Sequence, residues 1–137
     1  MNTILTKTRA GLLLVAGALL VLVGGFIVAD PATFYAANGI DTGGNVNLLN
    51  ELKAPAGLLL VAGCLMIGAI FRRGLAHSAT ALAALIYLSY AVTRGVSMAV
   101  DGMPAAGLVQ ATALEGLLGL ACLAILVIEK TTTRRNA

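Results

Sequence analysis

Charge is scarce in this chain: nine basic and six acidic side chains in 137 residues, 11% charged against 59% hydrophobic, with a mean hydropathy of +0.95. Soluble domains carry about 25% charged residues, so no water-soluble core accounts for such a composition. Histidine is rarer still. His77 is the only one, which leaves no pair at metal-ligand spacing and excludes a His-built metal centre. Recognisable catalytic signatures are missing as well. There is no Gly-x-Ser-x-Gly elbow, no Walker loop, no metal-spaced His or Cys set, and no two carboxylates on one apolar segment. The expectation from these absences is a protein that is not an enzyme and that carries no cofactor and no metal.

What the chain does have is four long apolar segments, Ala10–Ala29, Ala54–Phe71, Ser78–Ser97 and Gly107–Ile128. Each is long enough, or nearly so, to cross a hydrocarbon layer of roughly 30 Å as a helix. Together they take up most of the sequence. The predicted architecture is an all-α, integral membrane four-helix up-down-up-down bundle forming a single domain over residues 1–137. Its main partner is the lipid bilayer, with a membrane-protein partner or a second copy of the chain as further expectations.

Orientation follows from the basic residues. Alternating four spans puts Lys7, Arg9, Arg72, Arg73, Lys130, Arg134 and Arg135 on one side, and only Lys53 and Arg94 on the other, beside Asp30, Asp41, Glu51 and Asp101. The positive-inside rule then places both termini and the Arg72-Arg73 connection in the cytoplasm, as in a multi-pass protein of a bacterial inner membrane. The pI of about 9.2 therefore reflects topology signals and contacts with anionic lipid, and nucleic-acid binding is set aside. A cleaved signal peptide fits poorly: the first apolar run exceeds a 7 to 15 residue core, and Ile27 sits three residues before a cut after Ala29. Cys64 and Cys122 fall at different depths within their spans, about 15 and 22 Å below the outer surface, which argues against a disulfide.

The connections differ in length. Residues 30–53 form a long outer loop in which Asp30-Pro31 opens a short interfacial helix and Asn38-Gly39 stops it. From about Val46 the pattern turns helical again. Asp101-Gly102-Met103-Pro104 is a tight turn that makes the last two spans antiparallel neighbours. The first span carries small residues in two rows, Ala10, Gly17, Gly24 and Gly11, Ala18, Gly25, which permit close backbone approach either within the bundle or between two copies. The octapeptide Ala-Gly-Leu-Leu-Leu-Val-Ala-Gly occurs at 10–17 and again at 56–63; shared packing need is its simplest explanation.

One polar constellation stands inside the apolar segments. Tyr87, Tyr90, Arg94, Ser97 and Asp101 follow a 3-4-3-4 spacing that puts them on one helical face, and Thr112, Glu115, Gly119 and Cys122 form a matching row on the next span. Arg94 and Glu115 come out about 9 and 12 Å deep, close enough to meet. A charge near the centre of an isolated membrane helix costs about 2.5–3.5 kcal/mol, and pairing a guanidinium with a carboxylate offsets much of that. The predicted site is an outer-half cluster of Glu51, Lys53, Arg94, Asp101 and Glu115, with Tyr87 and Tyr90 beneath it, serving either as a structural ion-pair cluster or as a ligand site.

Asn50-Glu51-Leu52-Lys53-Ala54 with Gly57, then Arg94, then Asp101-Gly102-Met103-Pro104, then Leu114-Glu115 resembles the domain of unknown function 4345 family, small bacterial four-helix membrane proteins. The resemblance runs over nearly the whole chain. It implies the four-helix fold and the polar positions, and it brings no established activity. On balance these features predict an accessory or scaffold subunit of a larger membrane complex, or a self-associating unit. The alternative is a small transporter or ligand-binding protein with a periplasm-facing cavity around Arg94 and Glu115.

Overall fold

The computed structural model describes residues 3–135. The side chains of Arg73, Arg134 and Arg135, counted above among the flanking cations, lie outside the described residues. The described residues form five α-helices, α1 (Thr3–Ala29), α2 (Pro31–Ala36), α3 (Val46–Phe71), α4 (Ala76–Asp101) and α5 (Ala106–Arg135), with a 3-10 turn (Arg73–Leu75) between α3 and α4. The described residues contain no strand. Four of the helices are long and apolar enough to cross a membrane, and each exceeds the apolar run that predicted it. α3 starts at Val46 and continues through Pro55, and α5 continues to Arg135.

Local signals set the helix ends. Asp30 caps α2 by accepting a hydrogen bond from the Thr33 amide at 3.1 Å, and Pro31 occupies the first helical position, where its missing N–H costs nothing. Asn45 caps α3 through the amides of Asn47 and Leu48. Gly102, at φ +100°, ends α4 in a backbone conformation that side chains resist.

The long helices associate as two close pairs. α1 crosses α3 with the backbones almost touching: a Cβ added to Gly17 would lie 2.8 Å from the Gly63 carbonyl, and one on Gly24 would lie 2.7 Å from the Ala56 carbonyl. Gly17 and Gly63 are the last residues of the two octapeptide copies, so the repeat marks the two sides of one antiparallel crossing. The other small row does not share this contact, since Gly11 and Gly25 have open space where a Cβ would go. α4 packs antiparallel on α5, with Gly119 against Leu88 and Gly116 against Ala91.

Between the pairs, the core is concentrated toward the end marked by Arg9. Leu13, Ala16, Met66, Ala83 and Cys122 are buried together there, and the Tyr87 hydroxyl donates to the Ala16 carbonyl at 2.7 Å, tying α4 to α1. Large apolar residues such as Leu22, Leu58, Leu85 and Leu117 point outward and stay exposed. An apolar exterior on every helix suits lipid and not water. Cys64 is exposed, Cys122 is buried, and both are free thiols.

Candidate functional site

Beyond Tyr87 the two pairs part around a cavity of about 250 Å³. Every long helix supplies apolar wall, among it Leu20 of α1, Leu59 of α3, Ile86 of α4 and Ala111 of α5, while Phe34, Tyr35 and Asn38 come from α2 and the turn after it. The cavity is not sealed, because Pro55, Gly107 and Leu114 both line it and are exposed.

The short helix owes its position to its cap and its aromatics. Phe34 packs edge-on against Phe26 of α1 with centroids 5.6 Å apart, and Tyr35 packs edge-on against Phe34 at 5.3 Å, a favoured geometry for ring pairs. Gly39, at φ +75°, then turns the chain away. Gly107 leaves room for this segment at the start of α5, since a Cβ there would lie 2.8 Å from Asn38 Oδ1. Burial holds the Tyr35 phenol above its ordinary pKa, against the opposing pull of the Arg94 charge.

Arg94 and Glu115 meet in the cavity wall. Nε lies 3.3 Å from Oε2, with the Arg side chain 33% exposed and the Glu side chain 16% exposed. The contact lacks hydrogen-bond direction: Glu115 Oε2 is shielded from solvent and accepts no hydrogen bond among the described residues. This is Coulombic proximity rather than the bidentate fork an Arg offers a carboxylate. Tyr90 lines the same space half-buried, and Tyr87 lines its buried floor.

Of the seven residues the sequence nominates, the structure gathers Tyr87, Tyr90, Arg94 and Glu115 around one cavity. It does not bring Glu51, Lys53 or Asp101 there. Glu51 and Lys53 are exposed on the first turns of α3; Glu51 shares a heptad row with the outward-facing Leu58 and Leu65, so the helix phase turns it away from the bundle. Lys53 contributes its charge to Asp30 instead, whose carboxyl sits below its ordinary pKa through hydrogen bonds from Thr33 first and Lys53 last. Asp101 is exposed and accepts from Ser97 Oγ at 2.8 Å, one turn back on α4.

A second polar cluster escaped the sequence reading. Arg9, expected as a flanking topology signal, is buried, and it both pairs with and donates a hydrogen bond to Glu129 of α5. His77, which falls between the second and third apolar segments, lies in the first turn of α4 with Nδ1 3.1 Å from the same carboxylate. Periodicity carried the missing signal. Arg9 continues the 4-3-4 face of the buried Leu13, Ala16 and Leu20, and the half-buried Glu129 continues the 3-4 face of the buried Cys122 and Ile125. Among the described residues no three His, Cys, Asp or Glu side chains come together as a metal-binding group.

The family model for a domain of unknown function, DUF4345, matches residues 9–126. The chain belongs to the DUF4345 family. No curated protein and no solved structure matches it. The DUF4345 match takes in every cavity-lining residue named here and stops three residues short of Glu129.

Proposed function

We propose that this DUF4345 protein is a non-enzymatic, multi-pass protein of a bacterial inner membrane that binds a small molecule in the outer half of its bundle. In this reading the four long helices run up-down-up-down, both termini are cytoplasmic, and the cavity around Arg94 and Glu115 opens toward the periplasmic side.

One observation carries the binding reading: a cavity of about 250 Å³ whose wall holds an ion pair without hydrogen bonds between its members. Binding pockets are concave, mostly apolar and furnished with a few convergent polar groups, and intramembrane charges that face a cavity mark ligand or ion paths. A purely structural pair is better served by close packing and complete hydrogen bonding. The accessory-subunit reading keeps one support, the row of Gly11 and Gly25, which offers close backbone approach and meets nothing among the described residues.

Two experiments test the proposal. A C-terminal alkaline phosphatase fusion is expected to be inactive and the matching green fluorescent fusion bright; the reverse pattern rejects the orientation. Native mass spectrometry of protein released gently from membranes is expected to show a small-molecule adduct that Ala111→Phe, which fills the cavity, abolishes. An adduct of equal occupancy in the variant, or none in either protein, removes the binding reading and leaves the accessory role.

A further inference from the structure

The polar inventory of the cavity narrows what it takes. Hydrogen-bond donors share the lining, Arg94, Tyr35, Tyr90 and Asn38, and Arg94 meets Glu115 without a hydrogen bond among the described residues. The charged acceptor among them is Glu115 Oε2, shielded and without a donor among the described residues. A group that fits beside this ion pair must accept from Arg94 and also donate to Glu115, and a hydroxyl does both at one atom.

Charge narrows it further. Arg94 and Glu115 sum to zero, so an uncharged guest leaves the low-dielectric site neutral, whereas a carboxylate or ammonium guest adds an uncompensated charge beside a like one. A pure hydrocarbon would leave the Glu115 oxygen without a donor, at the cost of a buried unsatisfied group. Ring chemistry follows from the wall. The chain has six Phe and Tyr residues and no Trp, and four of the six, Phe34, Tyr35, Tyr87 and Tyr90, line this one cavity. Aromatic side chains favour flat ring partners in stacked or edge-on contact. As for size, a cavity of about 150 Å³ accepts benzene, so 250 Å³ admits one ring with a short substituent.

We infer that the cavity binds a neutral, lipid-soluble phenol, its ring among the tyrosines and its hydroxyl bridging Arg94 and Glu115. This rests on the binding reading above and names the ligand class for the same site.

The chain has three tyrosines, all on the cavity wall, so ring-¹³C tyrosine NMR of the whole protein in lipid nanodiscs reads occupancy directly. Three probes of one shape are titrated at matched mole fraction in the bilayer: 4-propylphenol, 4-propylbenzoate and propylbenzene. The phenol is expected to shift the tyrosine signals to saturation at a mole fraction about tenfold lower than either of the others, the effect of one hydrogen bond to a charged group. Glu115→Leu is expected to erase that preference. The ranking in the unsubstituted protein stands without the variant, should the variant fail to fold. Tighter binding of the benzoate makes this an anion site, and equal binding of propylbenzene makes it a greasy pocket; either outcome overturns the phenol inference and leaves the binding reading intact. Signals unmoved by all three probes, or moved equally in Ala111→Phe, overturn both.

Discussion

Arg9 with Glu129 and Arg94 with Glu115 use the same two functional groups at opposite ends of one bundle, and their surroundings differ. The Arg9 side chain is 7% exposed, packed beside the core of Leu13 and Ala16, with His77 on the far side of its carboxylate. The Arg94 side chain is 33% exposed and faces a cavity. In the closed half the guanidinium meets its partner with a hydrogen bond, and three helices, α1, α4 and α5, converge on one carboxylate. In the open half the pair is held by proximity alone, and its remaining hydrogen-bonding capacity is left over. Membrane helices have no hydrophobic drive to pack against one another, so a directional polar clamp at one end lets the other end stay parted without the bundle losing its register. The closed half is the fastening and the open half is the receptacle.

That division can be broken most sharply at the arginines. Removing one partner of a buried ion pair costs about 3–5 kcal/mol, so Arg9→Leu is expected to lose close to that amount, read as the unfolding midpoint in mild detergent. Arg94→Leu, with a partly solvated side chain and no hydrogen bond to Glu115, is expected to lose clearly less. Equal losses at the two positions would abolish the distinction between the halves.

The glycines test the α1–α3 seam that supports both halves. A Cβ on Gly63 would lie 2.6 Å from the Gly17 carbonyl and 2.9 Å from the Val21 amide, backbone atoms that cannot step aside, whereas a Cβ on Gly25 meets nothing. Gly63→Ala is expected to cost about 1–3 kcal/mol by overpacking. Gly25→Ala is expected to be neutral or to gain up to about 1 kcal/mol from helix propensity. The same detergent midpoints decide it, and a destabilised Gly25→Ala would mean that the second small row is also occupied.

Between the halves stands Tyr87, buried, donating to Ala16 at the cavity floor. Tyr87→Phe is expected to cost about 0.6–1.5 kcal/mol, the span of interhelical hydrogen bonds in membranes. Its deletion should also admit water to the floor, seen as faster amide exchange at Ala83 and Ala84. Unchanged exchange would mean that packing alone separates the halves.

How much of this was legible in the sequence depended on whether a residue sat inside or at the rim of an apolar run. Arg94 and Glu115 were legible because each interrupts an apolar segment, where a charge needs a reason, and because their helical rows and depths match. The caps at Asp30 and the turn at Gly102 were legible from local chemistry. Arg9 and Glu129 were not, since each sits beside another charge at a run's end, where the default reading is a solvated flank; only extending the buried face of Leu13 and Ala16 one turn further finds them. Glu51, Lys53 and Asp101 share the membrane depth of the cluster but do not line the cavity, and depth along a helix does not fix the direction in which a side chain faces. The rotation of α3 is a tertiary fact with no single-residue signature. The cavity is of the same kind: sequence placed its polar members, but the missing volume belongs to how two helix pairs diverge.

The smallest expected effect lies at the roof of the open half. Hydrogen bonds from Thr33 and the charge of Lys53 hold the Asp30 carboxyl below its ordinary pKa, so its cap favours the folded state while the group is ionised. The sign follows from linkage: the contribution is complete above the unfolded carboxylate value of about 3.9 and is lost as pH falls through the lower folded value. Asn caps helices as well as Asp does but does not titrate. Asp30→Asn is therefore expected to match the unsubstituted protein at pH 7 and to lose less stability between pH 5 and 2. Tyr35, on the helix that Asp30 caps, gives a local reading: its ring signal should drift over that acid range in the unsubstituted protein and hold steadier in Asp30→Asn. Identical drift in both proteins would show that something other than this cap sets the roof over the cavity.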